Sequence, residues 1–131
     1  MDSHAEPGMK MWITGWGETK GDIGGNNAHL KELSLPVATD EACRNDWPNN
    51  WHEGWLCADT GLKEDACTGD SGGPAVQKME DGRWRVIGVV SAGSEDCSTN
   101  KIKSAVFSSV VYFRQWIDRA TGSLCLARSL N

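Results

Sequence analysis

Hydrophobic positions along this chain recur mainly at every second residue, in runs too short for most helices. Over residues 11–16, Ile13 alternates with Trp12, Thr14 and Trp16, which predicts a strand. Leu33, Leu35 and Val37 share one face of a second run, Leu30–Val37, and the Gly/Asn-rich stretch Glu18–Asn27 joins the two as a hairpin loop. Further strands are predicted at Trp55–Ala58, Ala75–Met79, Arg83–Ala92 (the longest, opened by the turn signal Asp81-Gly82) and Ser104–Val110. Two segments break the alternation. Thr39 has the character of an N-cap, with Asp40 and Glu41 in the first turn where the helix dipole favours acids, so a short helix is predicted near residues 40–46. From Tyr112 the period lengthens: Phe113, Trp116, Ile117 and Ala120 fall at i, i+3, i+4 and i+7, an amphipathic helix ended by Gly122. The expected fold is all-β, a single small six-stranded antiparallel barrel carrying one short helix and a C-terminal α-helix. Residues 1–10 lead into it, residues 11–121 form it, and residues 122–131 are a tail.

Composition narrows the functional classes. A length of 131 residues supports one domain with a real core, and fifteen glycines suit a loop-rich β protein. A net charge of −5 supplies no electrostatic footprint for nucleic acid or an anionic membrane surface, and no run approaches a membrane span, so neither is expected as a partner. Five cysteines favour an oxidising compartment, and sequence alone leaves their pairing open. No Cys-x-x-Cys occurs and the three histidines are badly spaced for a metal, so no metal or other cofactor is implied. The start, Met1–Pro7, reads as no secretory leader, and a chain cut from a longer secreted precursor reconciles that with the cysteines.

The chemistry concentrates in Gly69-Asp70-Ser71-Gly72-Gly73-Pro74, an acid and a hydroxyl inside a glycine frame. Glycines are needed where backbone turns sharply or approaches a ligand, and N–H groups flanking a serine can converge on one oxyanion. The same residues satisfy the nucleophile-elbow pattern of α/β-hydrolases, but a proline and a strand follow in place of a helix, and no histidine follows residue 52.

The longer stretch Asp65-Ala66-Cys67-Thr68-Gly69-Asp70-Ser71-Gly72-Gly73-Pro74 resembles the nucleophile segment of the chymotrypsin/trypsin family of serine endopeptidases. Trp12-Ile13-Thr14-Gly15-Trp16-Gly17 resembles the strand that opens that family's second barrel, and Phe113-Arg114-Gln115-Trp116-Ile117 its C-terminal helix. The resemblance covers roughly residues 5–120 and implies that residues 1–10 correspond to a segment between two barrels. It makes Ser71 the nucleophile, with the N–H groups of Gly69 and Ser71 as the oxyanion site. Asp65 becomes the floor of a pocket for Arg or Lys of a peptide or protein substrate. Ser91-Ala92-Gly93 becomes the strand edge that pairs with substrate backbone, through Ser91 and Gly93. Ala105 stands where the family commonly has glycine, so its methyl is expected to narrow the pocket. The implied disulfides are Cys43–Cys57 and Cys67–Cys97, each contributing about 3–4 kcal/mol by loop entropy. The family's third bridge would join the positions of Met11 and Gln77, and both partners are absent together. Cys125 is left over, free to form an intermolecular disulfide.

What the resemblance requires and the chain lacks is equally specific. A serine hydroxyl is a poor nucleophile without a base in hydrogen-bond reach. His4, His29 and His52 stand in the settings Ser-His-Ala, Ala-His-Leu and Trp-His-Glu, none similar to the family's Ala-Ala-His-Cys. The triad histidine and aspartate belong to a first barrel, the missing partner. Asp70 would pair in the family with a new amino terminus beginning Ile-Val-Gly-Gly. With none present, Asp70 is expected to be either exposed or held by a different partner. The expected function is therefore the nucleophile-bearing half of a secreted Arg/Lys-directed serine endopeptidase, inactive alone. The alternative is a non-catalytic homologue that captures peptides or proteins.

Overall fold

The computed structural model describes residues 5–17, 29–61, 70–92 and 103–122. Six strands lie in it: β1 Lys10–Gly15, β2 Lys31–Pro36, β3 Trp55–Asp59, β4 Pro74–Lys78, β5 Trp84–Ala92 and β6 Ser104–Ser109. They form one sheet in the order β2-β1-β4-β5-β6-β3, every pair antiparallel. The sheet curls until its two edges meet. A lone antiparallel bridge, Val37 to Ala58, joins them, with the Ala38 N–H donating to the Cys57 carbonyl at 2.8 Å. This is the all-β, trypsin-like barrel expected from the alternation, and its strand limits agree with the sequence reading to within two residues.

The period of two explains which side chains fill the barrel. Met11 and Ile13 of β1, Leu35 of β2 and Ala75 of β4 point inward, and Phe107 of β6 lies fully buried among them. Gly88 of β5 makes room for that ring. A Cβ there would stand 3.1 Å from the Phe107 Cβ and 3.2 Å from Leu56 Cδ2. Trp16, read as the last strand residue, instead lies just past the end of β1 and is largely exposed. Register puts Met11 opposite Gln77, one step beyond the observed Trp12–Val76 pair. Both side chains are buried, and the Gln77 amide nitrogen has no hydrogen-bond partner among the described residues.

Two helices complete the wall. Helix α1, Asp40–Asp46, is capped by Thr39, whose side chain accepts from the Ala42 N–H at 3.1 Å. Its Cys43 is disulfide-bonded to Cys57 of β3, Cα to Cα 6.0 Å, inside a second apolar cluster with Val106, Trp47, Trp51 and Trp55. Helix α2, Val110–Thr121, begins two residues earlier than its periodicity suggests, because Ser109 ends β6 and caps the helix, accepting from the Tyr112 N–H at 3.2 Å. It stops at Gly122, which takes the left-handed conformation (φ 62°) and donates to the Asp118 carbonyl. No helix among the described residues is long and apolar enough to cross a membrane.

Candidate active site

Ser71 sits in a tight turn that enters β4. The Gly73 N–H donates to the Asp70 carbonyl at 3.0 Å, and Gly72 takes φ +82°, a conformation that a side chain would strain. The turn is then zipped onto β5. The Gly72 N–H donates to the Val90 carbonyl and the Val90 N–H to the Gly73 carbonyl, both at 2.9 Å. These bonds bring the segment carrying Ser71 against the end of β5, where Ser91 follows Val90. Both serines are exposed at this rim.

Asp70 anchors the other side of the turn. Its Oδ1 accepts from the Gly17 N–H at 2.9 Å, across 53 residues of sequence. The carboxylate is lodged against the backbone of Gly15 and Gly17. A Cβ on Gly17 would stand 2.5 Å from Oδ2, and one on Gly15 would overlap Oδ1. Asp70 is thus half-buried and held by a partner other than an amino terminus, the second of the two outcomes expected for it. The amide dipole of Gly17 directed at a carboxylate is a charge-assisted bond, stronger than a neutral one. The segment just past β1 and the end of β5 therefore grip the Ser71 turn from opposite sides.

Of the histidines, His29 and His52 lie among the described residues. His52 lies by the start of α2, where its Nδ1 accepts from the Gly54 N–H at 2.9 Å and its ring meets the Tyr112 ring edge-on at 5.9 Å. His29 is exposed ahead of β2. Neither is hydrogen-bonded to Ser71 among the described residues. Beside His52, the Tyr112 hydroxyl donates to Glu53 Oε1 at 3.0 Å; that hydrogen bond, then desolvation and the charge of Glu53, raise the phenol's pKa above its ordinary value.

Of the other residues singled out from sequence, Ala105 is buried in the barrel core, one residue before Val106, which pairs with Ala92 of β5. Asp65, Gly69, Gly93, the expected Cys67–Cys97 bridge, His4 and Cys125 lie outside the described residues. The implied Cys43–Cys57 bridge is present. Sequence reading missed the seat that Gly15 and Gly17 make for Asp70. The signal was there in Gly15-Trp16-Gly17, two side-chain-free positions flanking an exposed tryptophan. Among the described residues no three His, Cys, Asp or Glu side chains gather as a metal site would need.

Comparison with known proteins agrees with this geometry. The Trypsin family model matches residues 1–117. The chain is 36% identical over 123 residues to transmembrane protease serine 11A of Homo sapiens, covering 89% of this chain and 28% of that protein. It is 34% identical over 125 residues to phenoloxidase-activating enzyme 1 of Spodoptera litura, covering 90% and 31%. With spermosin of Halocynthia roretzi it shares 32% identity over 111 residues, covering 84% and 27%. The chain thus spans less than a third of the length of the curated relatives it matches.

Proposed function

Because the chain belongs to the trypsin family, we propose that it is the nucleophile-bearing half of a secreted serine endopeptidase that cuts after Arg or Lys and is inactive alone. The observation that carries the reading is the grip on the Ser71 turn: Asp70 bonded to Gly17 on one side, Gly72 and Gly73 bonded to Val90 on the other. A serine merely decorating a surface loop needs neither. In this reading Ser71 Oγ adds to the scissile carbonyl, and the N–H groups of Gly69 and Ser71 receive the oxyanion. The amine departs with the proton taken from Ser71, and water then hydrolyses the acyl-enzyme, returning the proton to Ser71. Asp65 pairs with the substrate cation, Ser91 and Gly93 hold its backbone, and Ala105 narrows the space beyond. The base that takes the proton, and the acid that orients it, come in this reading from a first barrel, carried on the same precursor or on a separate chain, since neither His29 nor His52 hydrogen-bonds to Ser71 among the described residues.

The test is acylation and turnover with and without that barrel. Alone, the chain is expected to show no turnover of Arg or Lys esters and no rapid fluorophosphonate labelling of Ser71. Fused behind the first barrel of trypsin, it should hydrolyse such esters, lose all activity in Ser71→Ala and lose its basic preference in Asp65→Ser. A fusion that folds, binds substrate peptides and never labels at Ser71 would overturn the reading in favour of a peptide-binding homologue.

A further inference from the structure

Two apolar surfaces stand open to solvent among the described residues. One is a groove of about 370 Å³ between α2 and the sheet, beside Trp116, which is 68% exposed; no charged side chain lines it, so it carries no chemistry that would select an occupant. The other, on the outer face of β1, β4 and β5, is built differently. Alternation turns Met11, Ala75, Gln77 and Ile87 inward and leaves Trp12, Val76, Trp84 and Val86 outside. Register sets these in two rows. Trp12 faces Val76 and Val76 faces Val86, and in the next row Trp84 faces Lys78. Trp84 is 53% and Val86 47% exposed, and the two indoles meet edge-on at 6.4 Å. Large aromatics left in water as a contiguous group mark an interaction surface.

Charge says what this second surface selects. Carrying the Trp12–Val76 register two residues on sets Lys10 across from Lys78, like charges on neighbouring strands, which costs stability unless an anion lies between them. Lys78 stands 5.9 Å over the Trp84 ring, and neither lysine is ion-paired among the described residues. The acids around them are engaged or set aside. Asp81 is held by Arg83 at 2.7 Å, Glu32 sits opposite Thr14 toward the other end of β1, and Glu80 lies past the end of β4. In a chain of net charge −5 this is a basic rim on an apolar floor. A bare polyanion would leave the tryptophans and valines wet, and a second copy docked symmetrically would bring like lysines into one contact. Ser71 precedes β4 and Lys78 ends it, so an occupant of this face leaves the Ser71 turn open. We propose that the outer face of β1, β4 and β5 binds an extended acidic segment of a partner protein, its carboxylates meeting Lys10 and Lys78 and its apolar side chains covering Trp12, Trp84 and Val86. This surface is independent of what Ser71 does.

The experiment titrates the full 131-residue chain into a dye-labelled peptide, Gly-Asp-Asp-Ser-Phe-Ser-Leu-Gly, and reads fluorescence anisotropy. Its second Asp, Phe and Leu fall at alternate positions and so share one face of an extended chain. Trp84→Ser and Lys78→Glu should each weaken binding by about tenfold, and raising salt from about 0.05 M to about 0.5 M should weaken it several-fold. Trp116→Ser, at the α2 groove, should leave it unchanged. Lys10→Glu separates binding from folding: it relieves the like-charge pair, so the urea midpoint should rise while the peptide binds about tenfold more weakly. Circular dichroism checks that each variant is folded. No binding by the wild type, equal binding of a peptide with Lys in place of both Asp, or a fall in both midpoint and affinity for Lys10→Glu would each overturn the proposal. So would heparin binding more tightly than the peptide and failing in the same variants, which makes the face a polyanion site. A dimer of the chain abolished by Trp84→Ser would overturn it too, by making the face a self-interface.

Discussion

Replacing Gly15 by alanine puts a methyl where the Asp70 carboxylate now rests. Gly15 is a strand residue outside the left-handed region, so on backbone grounds alanine should gain about 0.5–1 kcal/mol there. The carboxylate must nevertheless leave, and with it goes the bond from the Gly17 N–H at 2.9 Å. A hydrogen bond to a charged group contributes about 1.5–3 kcal/mol, so the net expectation is a loss of about 1–2 kcal/mol. In an Asp70→Ala background the obstruction is gone, and the same Gly15→Ala change should be neutral or slightly stabilising. Urea unfolding of the four proteins in this cycle measures the coupling directly, and hydrogen exchange at the Gly17 amide reports the bond itself. An equal cost of Gly15→Ala in both backgrounds would refute the claim that Asp70 ties the Ser71 turn to the end of β1.

Tyr112 is the only tyrosine in the chain, so an ultraviolet titration reads it alone. Its hydrogen bond to Glu53 should hold the midpoint above 10, with Glu53→Gln lowering it; the contact's contribution to stability is present below pH 10 and lost as pH rises through the folded value, and a wild-type midpoint at or below 10 would exclude the bond. Gln77→Met removes a buried amide donor that has no partner among the described residues, and denaturant unfolding should show a gain of about 1–2 kcal/mol, a loss meaning that the amide is satisfied after all. Removing the Cys43–Cys57 bridge by a double change to alanine opens a loop of sequence separation 14 and should cost about 3 kcal/mol. Reduction of the wild type should give a matching loss, and an undiminished midpoint in either case would count against the bridge as a staple.

Local periodicity made the elements legible: β1, β2 and β5 announce themselves by alternation, α1 by Thr39 and its acids, α2 by its apolar stripe. The boundary at Ser109 was harder, because one residue both ends β6 and caps α2, and strand periodicity cannot see a cap that belongs to the next element. Of the site, Ser71 and its glycine frame stand out in the sequence, since chemistry of that kind demands those residue types side by side. The Asp70–Gly17 bond does not, because it joins residues 53 apart and depends on β1 lying next to β4. The groove under Trp116 was equally hidden. An amphipathic stripe says which side of a helix is apolar, but only the packed structure says that this side is left partly uncovered.

The bridge between Val37 and Ala58 divides the wall of the barrel into two kinds of territory. The disulfide from Cys43 to Cys57 spans the same seam, while the turn bearing Ser71 leads into β4 and is bonded to β5, the middle pair of the sheet order. Once that disulfide is reduced, a cylinder built this way uncurls first along its seam, and the central rungs stay laddered as it does. Loosening at the edges, and insertions into the loops beside them, can therefore be absorbed on the side of the wall away from the serine.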